Sequence, residues 1–191
     1  KPKNRSVVLL LVMVPFWTNS LVRIYGWMIL LRTQGIVNGV LIALGIVDTP
    51  LKLLYNFGAV LVGMIYALLP FMILSVYNSV EKMDWSLVEA SRDLGASRWK
   101  AFWSVTVPMT MPGIMAGCVL VFVPSVGLFF ISDLLGGGKT ILLGNLIKNE
   151  LLTARNWPMG AALSMVMMVM SLLILWLYRK ATGAKNLEGL L

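Results

Sequence analysis

Histidine is absent from this 191-residue chain, and cysteine occurs once, as Cys118. Without histidine the sequence has neither the commonest general base nor the commonest zinc ligand, and Ser-His and Cys-His nucleophile pairs are ruled out. A single cysteine excludes an intrachain disulfide. Charge is scarce as well: Asp, Glu, Lys and Arg make up 13% of the residues, about half the share of an ordinary soluble domain. What fills the chain instead is apolar, 59% of it, with a mean hydropathy of +0.85. A membrane protein is expected, and an enzyme would find few side chains to work with.

The spacing of the charges makes this concrete. Residues 53–80, 101–132 and 156–178 contain no Asp, Glu, Lys or Arg, and each is long enough to cross a bilayer, which takes about 20 apolar residues. A fourth run, 6–22, continues past Arg23 through "IYGWMILL" and reads as one span with a polar interruption. Four spans are therefore expected, near 7–31, 57–80, 109–132 and 158–178. The short run "IVNGVLIALGIV", 36–47, is too brief to cross and carries Asn38 and two glycines, so an interfacial or re-entrant helix is expected there.

A net charge of +8 and a pI of about 9.9 could point to nucleic acid, but the basic residues are sorted by the spans. With four crossings, Lys1, Lys3, Arg5, Lys82, Arg92, Arg98, Lys100, Arg179, Lys180 and Lys185 share one side; Arg32, Lys52, Lys139, Lys148 and Arg155 share the other. The positive-inside rule then puts both termini and the 81–108 loop in the cytoplasm. The basicity is mainly topological, and no nucleic-acid partner is expected. The chain opens on Lys1 without Met or a cleavable signal, and a missing N-terminal portion is expected.

"DLLGGGKT", 133–140, ends like a phosphate-binding loop, but its first glycine is replaced by Asp133 and no buried strand precedes it. A flexible turn is the better reading, with Gly136, Gly137 and Gly138 free to adopt positive φ.

The 81–108 loop is unusual. Adjacent spans need only a few linking residues, yet about twenty-seven are used here, with Trp85, Trp99, Phe102 and Trp103 among them. Ser86 followed three residues on by Glu89 has the pattern of a capping box, so a short helix is expected to start there and end at Gly95 in the left-handed region. Ser97 can cap a second helix through Trp99, Ala101, Phe102 and Val105, with Pro108 marking the start of the next segment. Two capped amphipathic helices must bury their apolar sides on the bilayer surface or on a docked cytoplasmic protein.

Glu89-Ala90-Ser91, three residues, Gly95, nine residues, and Val105-Thr106-Val107-Pro108 resemble the EAA loop of ABC importer permease subunits: E-A-A, three residues, G, nine residues, I-x-L-P. Ser91 stands in place of the second alanine, and Val105 and Val107 replace Ile and Leu. The resemblance implies that Glu89, Ala90, Ser91, Gly95, Val105, Val107 and Pro108 couple the permease to cytoplasmic ABC ATPase subunits, with the loop seated in an ATPase groove. ATP is then bound by the partner, and this chain, itself no enzyme, needs no cofactor.

Further stretches, "VPFWTNSLVRIYGW", "LGIVDTPLKLLYN", "YALLPFMILSVYNSVEKMD", "TMPGIMAGCVLVFVPSVGLFFISDLLGGGK" and "NWPMGAA", are similar to spermidine/putrescine importer permeases, in particular the first of their two paired subunits. The similarity runs over essentially all 191 residues. It implies an all-α, polytopic, type I ABC importer permease fold in one domain over 1–191. Four of six transmembrane helices would be present and the first two missing. It also implies a bacterial cytoplasmic (inner) membrane location, a second permease subunit in a heterodimer, and an extracytoplasmic polyamine-binding protein.

A polar or aromatic residue inside a span is a candidate for the substrate path: Trp17, Asn19, Tyr25, Tyr66 and Asp133 are the chosen set. No acidic residue lies inside any expected span, Asp133 being at an edge. This chain would then offer polyamines aromatic faces and neutral acceptors, while deep carboxylates would come from the paired subunit. Arg23 is expected at the outer edge, paired or snorkelling; facing the path it would suit an oxyanion such as molybdate or thiosulfate. An ATPase-independent secondary transporter is the remaining alternative, with Arg23 as its one candidate ionisable group.

Overall fold

A computed structural model describes residues 10–182, which form helices and turns and no strand. Val7, Val8 and Leu9 of the first expected span, and Lys1, Lys3, Arg5 and Lys185 of the charge pattern, lie outside those residues. The helices are α1 (Ser20–Leu31), α2 (Ile36–Ala43), α3 (Phe57–Glu81), α4 (Ser86–Asp93), α5 (Arg98–Ala101), α6 (Val107–Gly127), α7 (Phe129–Gly136), α8 (Leu143–Lys148) and α9 (Trp157–Thr182). Among the described residues, four helical runs are long and apolar enough to cross a membrane: Ser20–Ala43, Phe57–Glu81, Arg98–Gly127 and Trp157–Lys180.

Two of these depart from the expected spans. The first is broken: a 3-10 turn at Val14–Trp17 gives way to extended Thr18 before α1 begins. Thr18 Oγ1 donates to Pro15 O (2.7 Å) and Asn19 Oδ1 accepts from Leu21 N (2.8 Å), so side chains satisfy backbone groups that apolar surroundings would not. The third starts at Arg98, not 109, and ends at Gly127, not 132. Its early start comes from a π turn at Phe102–Thr106, in which Val107 N reaches Phe102 O. That wide turn accommodates Pro108, which lacks an amide and whose ring would crowd the carbonyl four residues back in a regular helix. Pro108 therefore continues the helix and does not divide it.

The chain forms two compact units: residues up to Pro70 with Pro124–Met167, and Phe71–Val123 with the residues from Met168 on. In the first, Ile24 and Leu31 of α1, Ala59, Val60 and Ala67 of α3, and Ile131 and Leu135 of α7 make a buried core. Gly63 permits this contact, since a Cβ there would overlap Leu135 and come within 3.0 Å of Ile131. Asn38 of α2 is fully buried and serves as a staple: its amide donates to Leu51 O (2.8 Å) and its carbonyl accepts from Leu51 N (2.9 Å). The short 36–47 segment is thereby tied to its own following loop.

In the second unit small residues let helices approach closely. Gly113 and Gly117 of α6 face Ser75, Ser79 and Met72 of α3, and Ser75 Oγ donates to Gly113 O at 2.8 Å. Most of α9, by contrast, is bare apolar surface, with Leu172 57% and Trp176 58% exposed.

Candidate functional site

Three arrangements bear on function. The first lies inside the membrane-length helices. Arg23, in the first turn of α1, places its guanidinium carbon 4.8 Å from the centre of the Phe16 ring and 5.8 Å from that of Tyr66. Trp27, one turn along α1, meets Tyr66 edge-on at 5.5 Å and 65°. Arg23 Nε is buried without a hydrogen-bond partner, and no carboxylate pairs with it among the described residues.

Ring faces hold the Arg23 guanidinium where an ion pair was one of the expected arrangements.

The second arrangement is polar. Asp133 of α7 forms an ion pair with Lys148 of α8 at 2.6 Å and also accepts from Asn145 Nδ2 at 2.7 Å. Buried Asn145 donates as well to Phe129 O (3.1 Å) and accepts from Leu142 N (3.1 Å). Asn145 thereby ties the start of α7 to the turn that leads into α8. Asp133 is thus largely neutralised by its own chain. Removing Lys148 alone, as Lys148→Met, should cost about 1–2 kcal/mol, between the limits for exposed and buried pairs. Asp133→Asn/Lys148→Met should recover most of it. Thermal unfolding in detergent checks this, and equal melting of the single and double variants would mean that the pair contributes nothing.

Of the other path candidates, Trp17 ends the 3-10 turn and is 84% exposed, Tyr25 is 48% exposed, and Asn19 caps α1. Phe16, Trp27, Asn145 and Lys148 were not singled out in the sequence. The signal available for Trp27 was its position four residues after Arg23, on the same helical face.

The third arrangement is the loop. Gly95 has φ +89° between α4 and α5, and Ser97 caps α5 through Lys100 N (3.3 Å). The Ser86/Glu89 capping box does not form: the N-cap of α4 is Trp85, and Asp84 Oδ1 accepts from Ser86 N at 3.0 Å. The Ser86 hydroxyl and then its amide hold the Asp84 carboxyl below its ordinary value. This cap is complete at neutral pH and is lost only as pH falls through that lowered value. Ser91 is half-buried, its hydroxyl donating to Val88 O (3.0 Å), while Glu89 and Ala90 are exposed, Val105 and Val107 are half-buried and Pro108 is exposed. Glu89, Arg92, Asp93, Ala96, Ser97 and Arg98 line an open hollow of about 510 Å³. Leu94 stands 91% exposed beside it and Trp99 74% exposed.

Residues 2–181 match the family described as binding-protein-dependent transport system inner membrane component. The chain belongs to this family. Its helices and the family together make it a multi-pass inner-membrane protein. The spermidine/putrescine transport system permease protein PotB of Haemophilus influenzae is 49% identical over 185 residues, 97% of this chain and 65% of that protein. The protein of that name from Escherichia coli is 49% identical over 184 residues, 96% of this chain and 67% of its own. The chain therefore spans about two-thirds of the length of these relatives. The molybdenum transport system permease protein ModB of Escherichia coli is 39% identical over 89 residues, 44% of this chain and 38% of that protein.

A crystal structure of a bacterial ABC transporter involved in the import of the acidic polysaccharide alginate aligns with a TM-score of 0.75 at 19% identity, covering 95% of this chain and 68% of that one. The fold of this inner-membrane component is accordingly that of an ABC importer permease, all-helical in its described residues.

Proposed function

We propose that this chain is a permease subunit of an ATP-driven importer that moves polyamines, spermidine and putrescine, across the inner membrane. The observation that carries the reading is 49% identity, over nearly the whole chain, to permeases named for that cargo. The likeness to the molybdenum permease covers less than half of the chain, which favours polyamine over oxyanion. The EAA-type loop favours an ATPase partner over secondary transport.

In this reading α4 and α5 dock in the ATPase, with exposed Leu94 and Trp99 as the apolar contact and Glu89, Arg92 and Arg98 as the charged one. Closure of the ATPases draws the paired loops together and rocks the permease halves, opening the path alternately to each side. In the first unit Arg32, Lys52 and Lys139 line an open cavity of about 480 Å³, a cationic surface suited to acidic side chains of a polyamine-binding protein. A second permease would cover the bare helix surface and supply carboxylates that this chain lacks in its spans.

Uptake of labelled spermidine and of labelled molybdate by proteoliposomes holding the assembled importer tests the cargo; molybdate uptake without spermidine uptake would overturn it. Sidedness is tested separately. In a Cys118→Ala background, Lys82→Cys or Lys100→Cys should react only with reagents that reach the cytoplasm, and labelling from outside intact cells would reverse the topology.

A further inference from the structure

We infer that Arg23 is a tethered competitor of the cargo. Its guanidinium occupies an aromatic seat, formed by Phe16 and Tyr66, that a substrate ammonium takes during passage, and the substrate advances by displacing it. The inference rests on the polyamine reading.

A full charge in a membrane-length helix is costly and persists where the surroundings compensate it or where it has work to do. Compensation here is thin. Arg23 has no ion-pair partner among the described residues, and its buried Nε has no acceptor. What holds it are the faces of Phe16 at 4.8 Å and Tyr66 at 5.8 Å, with Tyr66 buttressed by Trp27. A ring face attracts any cation without a fixed donor geometry, so this seat accepts a primary ammonium as readily as a guanidinium. A bidentate Arg-carboxylate pair would resist such an exchange; a ring-held Arg does not.

Occupancy by the chain's own charge also gives selectivity. A monocation replacing Arg23 makes one contact where one was lost, and gains nothing. A polyamine replacing it still has further ammonium groups to place elsewhere along the route. The seat thus stays closed to small monovalent cations between cycles and yields to a substrate of higher charge.

Equilibrium binding of labelled spermidine to the assembled importer, in the absence of its binding protein, tests this. Arg23→Gln should bind about tenfold more tightly than wild type, and Arg23→Gln/Tyr66→Leu should lose that gain. In the Cys118→Ala background, Arg23→Cys carrying a cationic thiol adduct should return to within about twofold of wild type. A neutral adduct of equal size should behave like Gln, so charge is separated from any folding defect.

Binding by Arg23→Gln no tighter than wild type, equal binding by the two adducts, or a Cys at 23 that a cationic reagent never reaches would each overturn the seat. Failure of wild-type spermidine uptake in the cargo assay would instead overturn the polyamine reading beneath it.

Discussion

Gly113→Val should leave little folded permease to extract from the membrane. A Cβ at 113 would overlap Ser79 Oγ and stand 3.0 Å from the backbone oxygen of Ser75. The hydroxyl can rotate away, but Ser79 Cβ, 2.5 Å off, and the backbone oxygen cannot, so α3 and α6 must separate. Separation breaks the Ser75–Gly113 hydrogen bond of 2.8 Å. Overpacking at about 1–3 kcal/mol and the lost bond at about 1 kcal/mol give roughly 2–4 kcal/mol, a large part of the stability of a typical domain. Gly39→Ala is the control: nothing lies within 4 Å of a Cβ there, and the change improves helix propensity. Fluorescence-detected size exclusion with a thermal ramp reads both. If Gly113→Val melted with wild type, close α3–α6 contact would not hold the second unit together.

Gly95→Val should insert normally and abolish transport. No atom lies within 4 Å of a Cβ at Gly95, so the whole penalty is backbone: φ is +89°, where a β-branched residue is a strong outlier. The left-handed region costs an ordinary residue about 1–2 kcal/mol, and the chain relieves it by reopening the turn between α4 and α5. That re-aims Leu94 and Trp99 away from a common surface. Under the proposed coupling the ATPase should no longer co-purify, and uptake should fall at least tenfold. Gly95→Asn should retain most activity, because Asn tolerates this region. ATPase retention by Gly95→Val equal to wild type would reduce the loop to a connector.

Legibility from sequence followed the range of the forces involved. The apolar runs that became α3 and α9, the positive φ at Gly95 and the Ser97 cap depend on neighbours within a few residues, and local rules read them. The Ser86 cap failed for an equally local reason: Asp84, two residues upstream, takes the Ser86 amide. Pro108 misled because proline ends helices only where the preceding turn stays regular, and here it widens. The ring-held Arg23 could not be read, since Phe16 and Tyr66 are fifty residues apart and only packing joins them. The Asp133–Lys148 pair could not be read for the same reason, its members being fifteen residues apart across a turn.

The wide turn at Phe102–Thr106 sits inside the unbroken run Arg98–Gly127, so the loop end and the membrane-length segment share one rod. A single residue in a helix is about 100° of azimuth and 1.5 Å of advance. Deleting one residue from that turn would swing the Gly113 and Gly117 stripe away from Ser75 and Ser79 without altering any residue of the span. The register between the loop helices and the α6 stripe is therefore dialled by loop length, and insertions or deletions here act as rotations of one against the other.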